Sequence, residues 1–222
     1  MQSSLSKAEA IILYLTFGLL IFGIVMSRLD PFWFEFIYVP EDGFIEWMTV
    51  LPLLLMAVVS VNRLVKLAPL RNSWFVISLL LFMGFCIFAA GEELSWGQRL
   101  FNWKSTEFFK ENNAQKETNF HNLIIAGKSV NIIVFSRLVI LFMVFYLLVL
   151  PILYQRSLKI RILAENFAIP IPQVYQIISL LLVFGLISLC PSHKRAELLE
   201  FSSCFLFLAI VLYPRNAYIF KT

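Results

Sequence analysis

The sequence predicts an all-α fold, a polytopic membrane helix bundle of about six transmembrane helices forming a single integral membrane domain over residues 1–222. Two observations carry that reading. The 222-residue chain is 60% hydrophobic and only 14% charged, against roughly 45–50% apolar and 25% charged in soluble domains. Its mean hydropathy is +0.82, and the apolar residues come in long runs that one soluble core cannot hide. Twenty-three Phe residues suit lipid-facing helices.

A span needs about 20 apolar residues to cross roughly 30 Å of hydrocarbon. Such runs lie at 10–27, 44–62, 74–94, 129–154, 173–190 and 198–213. The first follows Lys7 and is continued by Met26-Ser27-Arg28-Leu29-Asp30 without a small-residue cleavage site, so it is read as an uncleaved helix. The loops 63–71 and 156–161 carry Arg63, Lys66, Arg71, Arg156, Lys159 and Arg161 with no acid, which favours N-in, C-in by the positive-inside rule. Nearly all the acidic residues then gather on the opposite, outer side.

Between the first two runs, 28–43 (RLDPFWFEFIYVPEDG) is an aromatic strip suited to the membrane interface. The long polar loop 100–128 is expected outside. Its Ser105–Lys116 portion is read as a short amphipathic helix, capped by Ser105 or Thr106, with Phe108 and Phe109 dipping towards lipid. The net charge of +4 is spread without a Lys/Arg run, which excludes a nucleic-acid surface and leaves membrane lipids as the expected partners; protein partners stay open. Cys86, Cys190 and Cys204 form no C-x-x-C pair and read as apolar packers.

Four polar clusters fall at the outer helix ends. In Glu41-Asp42-Gly43-Phe44-Ile45-Glu46-Trp47, Asp42, Glu46 and Thr49 share a helical face. Glu41 and Asp42 are expected as helix caps, whereas Glu46 sits a turn deeper. In Gly91–Arg99 a continued helix aligns Glu92, Trp96 and Arg99, and puts Glu92-Glu93 at the end where the macrodipole disfavours acids. An ion pair of Glu92 or Glu93 with Arg99 or Arg137 is the structural alternative to a functional role. The amide-rich run Asn112–Asn122 surrounds His121, one of two histidines in the chain and a natural ligand or general base near neutral pH. In the fourth cluster, His193, Glu197 and Glu200 share a face at the start of the last span; Glu197 reads as ordinary capping and Glu200 less so.

The segments EDGFIEW, GEELSWGQRLFNW and NAQKETNFHNL resemble a group of bacterial multi-pass membrane proteins of unknown function, in which EDG-x-x-E, GEE-x-SWGQR and N-x-Q-x-E-x-N-x-HN motifs recur together. The resemblance covers roughly residues 40–125. It implies that Glu46, Glu92, Glu93, Trp96, Gln98, Arg99, Gln115, Glu117, Asn119 and His121 belong to one site. It also implies a bacterial cytoplasmic (inner) membrane location and supplies no activity; the Lys/Arg asymmetry of the loops is what turns the site to the periplasm or exterior. A much weaker likeness is to the CAAX-type intramembrane proteases, whose Glu-Glu pair precedes an Arg on one helix. Here Arg99 follows Glu92-Glu93 at a longer gap, and His121 lies in a loop-like stretch.

The expectation is therefore a membrane-embedded hydrolase or transferase acting on a lipid or lipid-linked substrate. Glu93, His121, Glu46 and Glu200 are the catalytic candidates. Trp96, Gln98, Arg99 and Asn119 would bind substrate, with Arg99 on an anionic head group. Glu92, Glu93 and His121 would hold a divalent metal such as Zn²⁺ if one is used. The rival is a non-catalytic assembly or accessory protein whose polar cluster is a structural lock or a docking site. A small transporter is disfavoured, because Arg137 alone would lie near mid-membrane.

Overall fold

The computed structural model describes residues 5–125, 127–130 and 139–222, so Arg137 and the start of the fourth apolar run lie outside the described residues. The fold is all-α apart from a two-residue ribbon pair in the polar loop. Helix α1 spans Lys7–Leu29 and opens with a capping box, in which Ser6 accepts from the Glu9 amide and the Glu9 carboxylate accepts from the Ser6 amide. Helix α2 spans Phe44–Leu67 and α3 spans Ser73–Glu93, capped by the Asn72 side chain. Among the described residues these three helices are long and apolar enough to cross a membrane.

A bent pair of helices makes a fourth candidate if the two pieces count as one span. Helix α4, Ile140–Arg156, meets α5, Leu158–Asn166, at a bend of 119°. Within α4, Phe145–Val149 form a π-helical turn. Helix α6 is apolar but short, Val174–Ile187. The sequence predicts this run to continue to 190, but Ser188–Cys190 leave the helix as turns ahead of Pro191, which disfavours helical geometry in the residue before it. Helix α7 spans Arg195–Leu212.

Helix α7 is the axle of the bundle and packs against α1, α2 and α6. Leu198, Phe201, Ser202, Leu206 and Ile210 along it are all fully buried. In contrast, α3 and α4 turn Leu81, Phe85, Leu141 and Phe142 outward, as helices bathed in hydrocarbon do. The exterior thus stays greasy, while α7 sits inside the bundle.

The 28–43 strip is helical in its middle. Asp30 accepts from the Trp33 amide to start one turn at Pro31–Trp33, and a π-helical turn follows at Phe34–Tyr38. Phe32, Phe36 and Ile37 stay exposed while Tyr38 is buried and donates to the Leu19 carbonyl. In the polar loop the expected Ser105–Lys116 helix is shorter, Glu107–Asn112. Thr106 is its N-cap residue without a side-chain bond, because Ser105 instead donates to the Lys116 carbonyl and to Gln98.

Candidate functional site

The starts of α2 and α7 and the end of α3 lie at one end of the bundle, and the polar loop folds over them. The chain reaches that loop through an abrupt turn. Helix α3 stops at Glu93, and Ser95, Trp96 and Gly97 then take three consecutive left-handed conformations, with φ of 46°, 55° and 74°. Only glycine adopts such backbone without penalty; for Ser95 and Trp96 it costs about 1–3 kcal/mol each unless surrounding bonds enforce it. Those bonds are present. Ser95 Oγ donates to Glu117 Oε2 at 2.5 Å and accepts from Asn119 Nδ2 at 2.8 Å. Trp96 Nε1 donates to Glu92 Oε1 at 2.8 Å. Its ring lies over Gly91, where a Cβ would come within 2.9 Å of the indole.

This turn overturns the expected continuous helical face of Glu92, Trp96 and Arg99. Reversal at Ser95–Gly97 carries Arg99 away from Glu92 and Glu93 and into a cage of four other carboxylates. Its Nη1 lies 3.0 Å from Glu41 and 2.7 Å from Glu117, Nη2 lies 3.1 Å from Glu46, and Nε lies 2.5 Å from Asp42. These acids hold the guanidinium proton more tightly than in free arginine, against the opposing effect of burial. Glu41 and Asp42 are therefore not helix caps: Gly43 is the N-cap residue of α2, Asp42 is left-handed (φ 58°), and the Asp42 amide donates to the buried Glu46 carboxylate. Burial raises Glu41 above the usual carboxylate range, with Arg99 pulling the other way.

The amide-rich run is a wired structure. Asn113 donates to the Asn119 side chain and carbonyl, and Gln98 Oε1 accepts from Ser105 Oγ and the Thr118 amide. Asn119 is fully buried. Gln115 bridges Glu41 and Asn122. Trp96 remains partly exposed, edge-on to Phe88.

Glu92 and Glu93, adjacent in sequence, point to different surroundings because successive helical residues diverge by about 100°. Glu92 is buried, and its Oε2 accepts from the amides of Phe120 (2.5 Å) and His121 (3.2 Å). The His121 Nδ1 lies 3.9 Å from the same oxygen, and Asn122 Nδ2 lies 3.0 Å from its Nε2. Burial lowers the His121 pKa below its ordinary value, opposed by the charges of Glu92 and Glu117. Glu93 instead faces the bundle, within electrostatic range of Glu46, Glu92 and Glu197. Glu200 is accessible and senses Glu93, Glu197 and Glu46, and the Cys204 thiol one turn on senses Glu93 and Glu200. Among the described residues, the side chains of Glu93, Glu197 and Glu200 make no hydrogen bond and no ion pair, although Lys194 reaches Glu197 electrostatically.

The set expected to hold a metal is not assembled. Among the described residues no three His, Cys, Asp or Glu groups come together as an ion site, because Glu92 spends its oxygens on amides and the indole while Glu93 points elsewhere. His193 precedes α7 and is exposed rather than sharing its face.

The end of the bundle therefore has two halves. One is a paired clamp of Arg99 with Glu41, Asp42, Glu46 and Glu117; the other is an accessible group of Glu93, Glu197 and Glu200. Sequence reasoning set Glu41, Asp42 and Glu197 aside as capping, and it passed over Ser95 and Asn113. For Glu197 the i, i+3 spacing to Glu200 was the available signal; Ser95 carried none.

Fold and site together define a helical membrane protein with a polar, acid-rich end. Comparison of the chain with family models, with curated proteins and with solved structures gives no match.

Proposed function

We propose that the chain is a membrane-embedded enzyme, a hydrolase or transferase acting on a lipid or lipid-linked substrate, with its site at the outer face of a bacterial cytoplasmic membrane. In this reading α1 to α7 make six crossings, α4 and α5 jointly supplying the fourth, with both termini inside. The observation that carries it is the contrast between the two halves of the site. Every carboxylate around Arg99 is paired, whereas among the described residues the side chains of Glu93, Glu197 and Glu200 make no hydrogen bond or ion pair. Unpaired ionisable groups at membrane depth are costly, and such groups mark function.

Neighbouring carboxyl groups are the arrangement that supports combined acid and base chemistry. Glu93 takes the proton of a water or an acceptor hydroxyl as its oxygen attacks the substrate ester. Glu200, in its protonated form, gives a proton to the departing oxygen. Glu46 orients the Arg99 clamp, and Trp96 and Phe88 wall the approach. His121 is a second base candidate, because burial favours its neutral form. Since Arg99 is committed to four acids, it acts as a positioning residue, and the reacting substrate group is neutral or cationic rather than a free anion.

The clamp alone favours the rival reading, a non-catalytic assembly protein with a structural lock. The two are separated by Glu93→Gln and Glu200→Gln against Arg99→Gln. The enzyme reading expects the Glu variants to accumulate normally, unfold at the wild-type temperature and alter the cell's lipid profile. Folded Glu93→Gln and Glu200→Gln proteins with an unchanged lipid profile would overturn it.

A further inference from the structure

At the opposite end of the bundle the structure holds a second feature that the carboxylate site does not use. A cavity of about 520 Å³ opens between α3, α4, α5 and α7, within the roughly 300–1,000 Å³ of small-ligand pockets. Its body is almost wholly apolar, with Phe82, Ala164 and Phe207 among its walls. Its existence follows from two departures from straight helix: the 119° bend between α4 and α5, and the π-helical turn at Phe145–Val149. π-turns inside helices accompany functional sites more often than chance. At the rim, Leu81, Phe142 and Leu163 are exposed, so the cavity opens sideways onto the greasy exterior and not to water.

One charged residue lines it, Arg63. Its Nη2 donates to the Val211 carbonyl at the end of α7, and its guanidinium lies over the Phe220 ring at 3.7 Å. No carboxylate pairs with it among the described residues. An arginine carries five N–H donors, so most remain available for an anion. The Tyr146 hydroxyl in the wall is spent on the Pro170 carbonyl at 2.5 Å. Glu46 and Arg63 stand 17 positions apart on α2, or roughly 26 Å along a helix axis, so this cavity is separate from the carboxylate site.

We infer that the cavity binds a single-chain segment of an anionic amphiphile, its hydrocarbon in the apolar body and its anionic oxygen on Arg63. The chemistry is shared by the acyl chain and head group of an anionic phospholipid and by a free fatty acid. The inference is independent of the enzyme reading, because no residue of the carboxylate site takes part.

Native mass spectrometry of the full-length protein tests it, with palmitate, dioleoyl phosphatidylglycerol and dioleoyl phosphatidylcholine each added to the delipidated protein. Wild type is expected to retain one anionic amphiphile at least about tenfold more tightly than phosphatidylcholine, the equivalent of about 1.4 kcal/mol. Arg63→Gln, which can still donate to Val211, is expected to erase that preference. Ser78→Trp, which places an indole in the cavity, is expected to weaken both anions. Retention of phosphatidylglycerol assigns the site to a lipid head group, and retention of palmitate alone assigns it to a free fatty acid. Equal retention of phosphatidylcholine and phosphatidylglycerol by wild type overturns the inference, as does an anion preference that survives Arg63→Gln. The Arg63→Gln result decides by itself if Ser78→Trp is not recovered folded.

Discussion

Replacing Arg99 by methionine keeps much of the side chain's apolar stem and removes the one cation shared by four acids. The cost is set by the least exposed partners. Glu46 and Glu117 are 7% and 14% exposed, so stranding them resembles breaking a buried pair, at about 3–5 kcal/mol. Glu41, 48% exposed, and Asp42, 31% exposed, are screened by solvent and add about 0–1 kcal/mol. With about 2–4 °C lost per kcal/mol in a chain of this size, the midpoint of unfolding should fall by roughly 6–24 °C. Tryptophan fluorescence during heating in detergent micelles measures this. Adding Glu46→Gln and Glu117→Gln to Arg99→Met should restore at least about half of the loss, because the penalty belongs to the stranded charges. Mild acid, which neutralises Glu41 first because burial raises its pKa, should narrow the gap to wild type. A single variant that unfolds within about 2 °C of wild type, or a triple variant no better than the single, would refute the account of the clamp.

Ser95→Ala removes a donor to Glu117 and an acceptor for Asn119, so it should cost about 2–4 kcal/mol and loosen residues 113–122, seen as faster amide hydrogen exchange there. Unchanged exchange would show that the left-handed turn holds without it. Because burial depresses the His121 pKa, the unfolded chain takes up its proton first as pH falls. Stability contributed by this residue is thus intact above about pH 6.5, declines as pH drops towards the folded-state value and then levels off. His121→Gln should flatten that part of the curve; an identical pH profile would remove His121 from the account. Ser202 is buried with its hydroxyl unpartnered among the described residues, so Ser202→Ala should be neutral or stabilising by up to about 1 kcal/mol in the same melting assay. A loss larger than that would reveal a bond the hydroxyl makes.

What could be read in advance follows from which forces are local. The helices at 44–67 and 73–93 are visible because hydropathy is a property of each run, and the acids at 41–46, 92–93 and 197–200 are visible because charge stands out against an apolar chain. Their meeting at one bundle end follows from antiparallel helices alone. Who pairs with whom does not. The helical-face argument for Glu92, Trp96 and Arg99 assumed continuous helix through Leu94–Gly97, and only Gly97 hinted otherwise. Ser95 and Trp96 are left-handed because Glu117, Asn119 and Glu92 hold them so, and those partners lie up to 24 residues away. Bonds of that kind carry no local signature. In the same way, Glu41 and Asp42 suit a helix start by type, yet a distant guanidinium outbids the local amides.

The central position of α7 bears on how the bundle is built. This helix carries Arg195, Glu197 and Glu200 in its first two turns, and it is the helix that lipid touches least. Entering hydrocarbon unaccompanied, each such charge costs about 2.5–3.5 kcal/mol at the membrane centre and less towards the interface. The groove formed by α1, α2 and α6 lowers the cost of the whole helix by replacing lipid with protein around Leu198, Phe201 and Ser202, while Arg195 and Glu200 stay exposed at the polar end. Its insertion is therefore coupled to the prior arrival of α1, α2 and α6, all of which precede it along the chain.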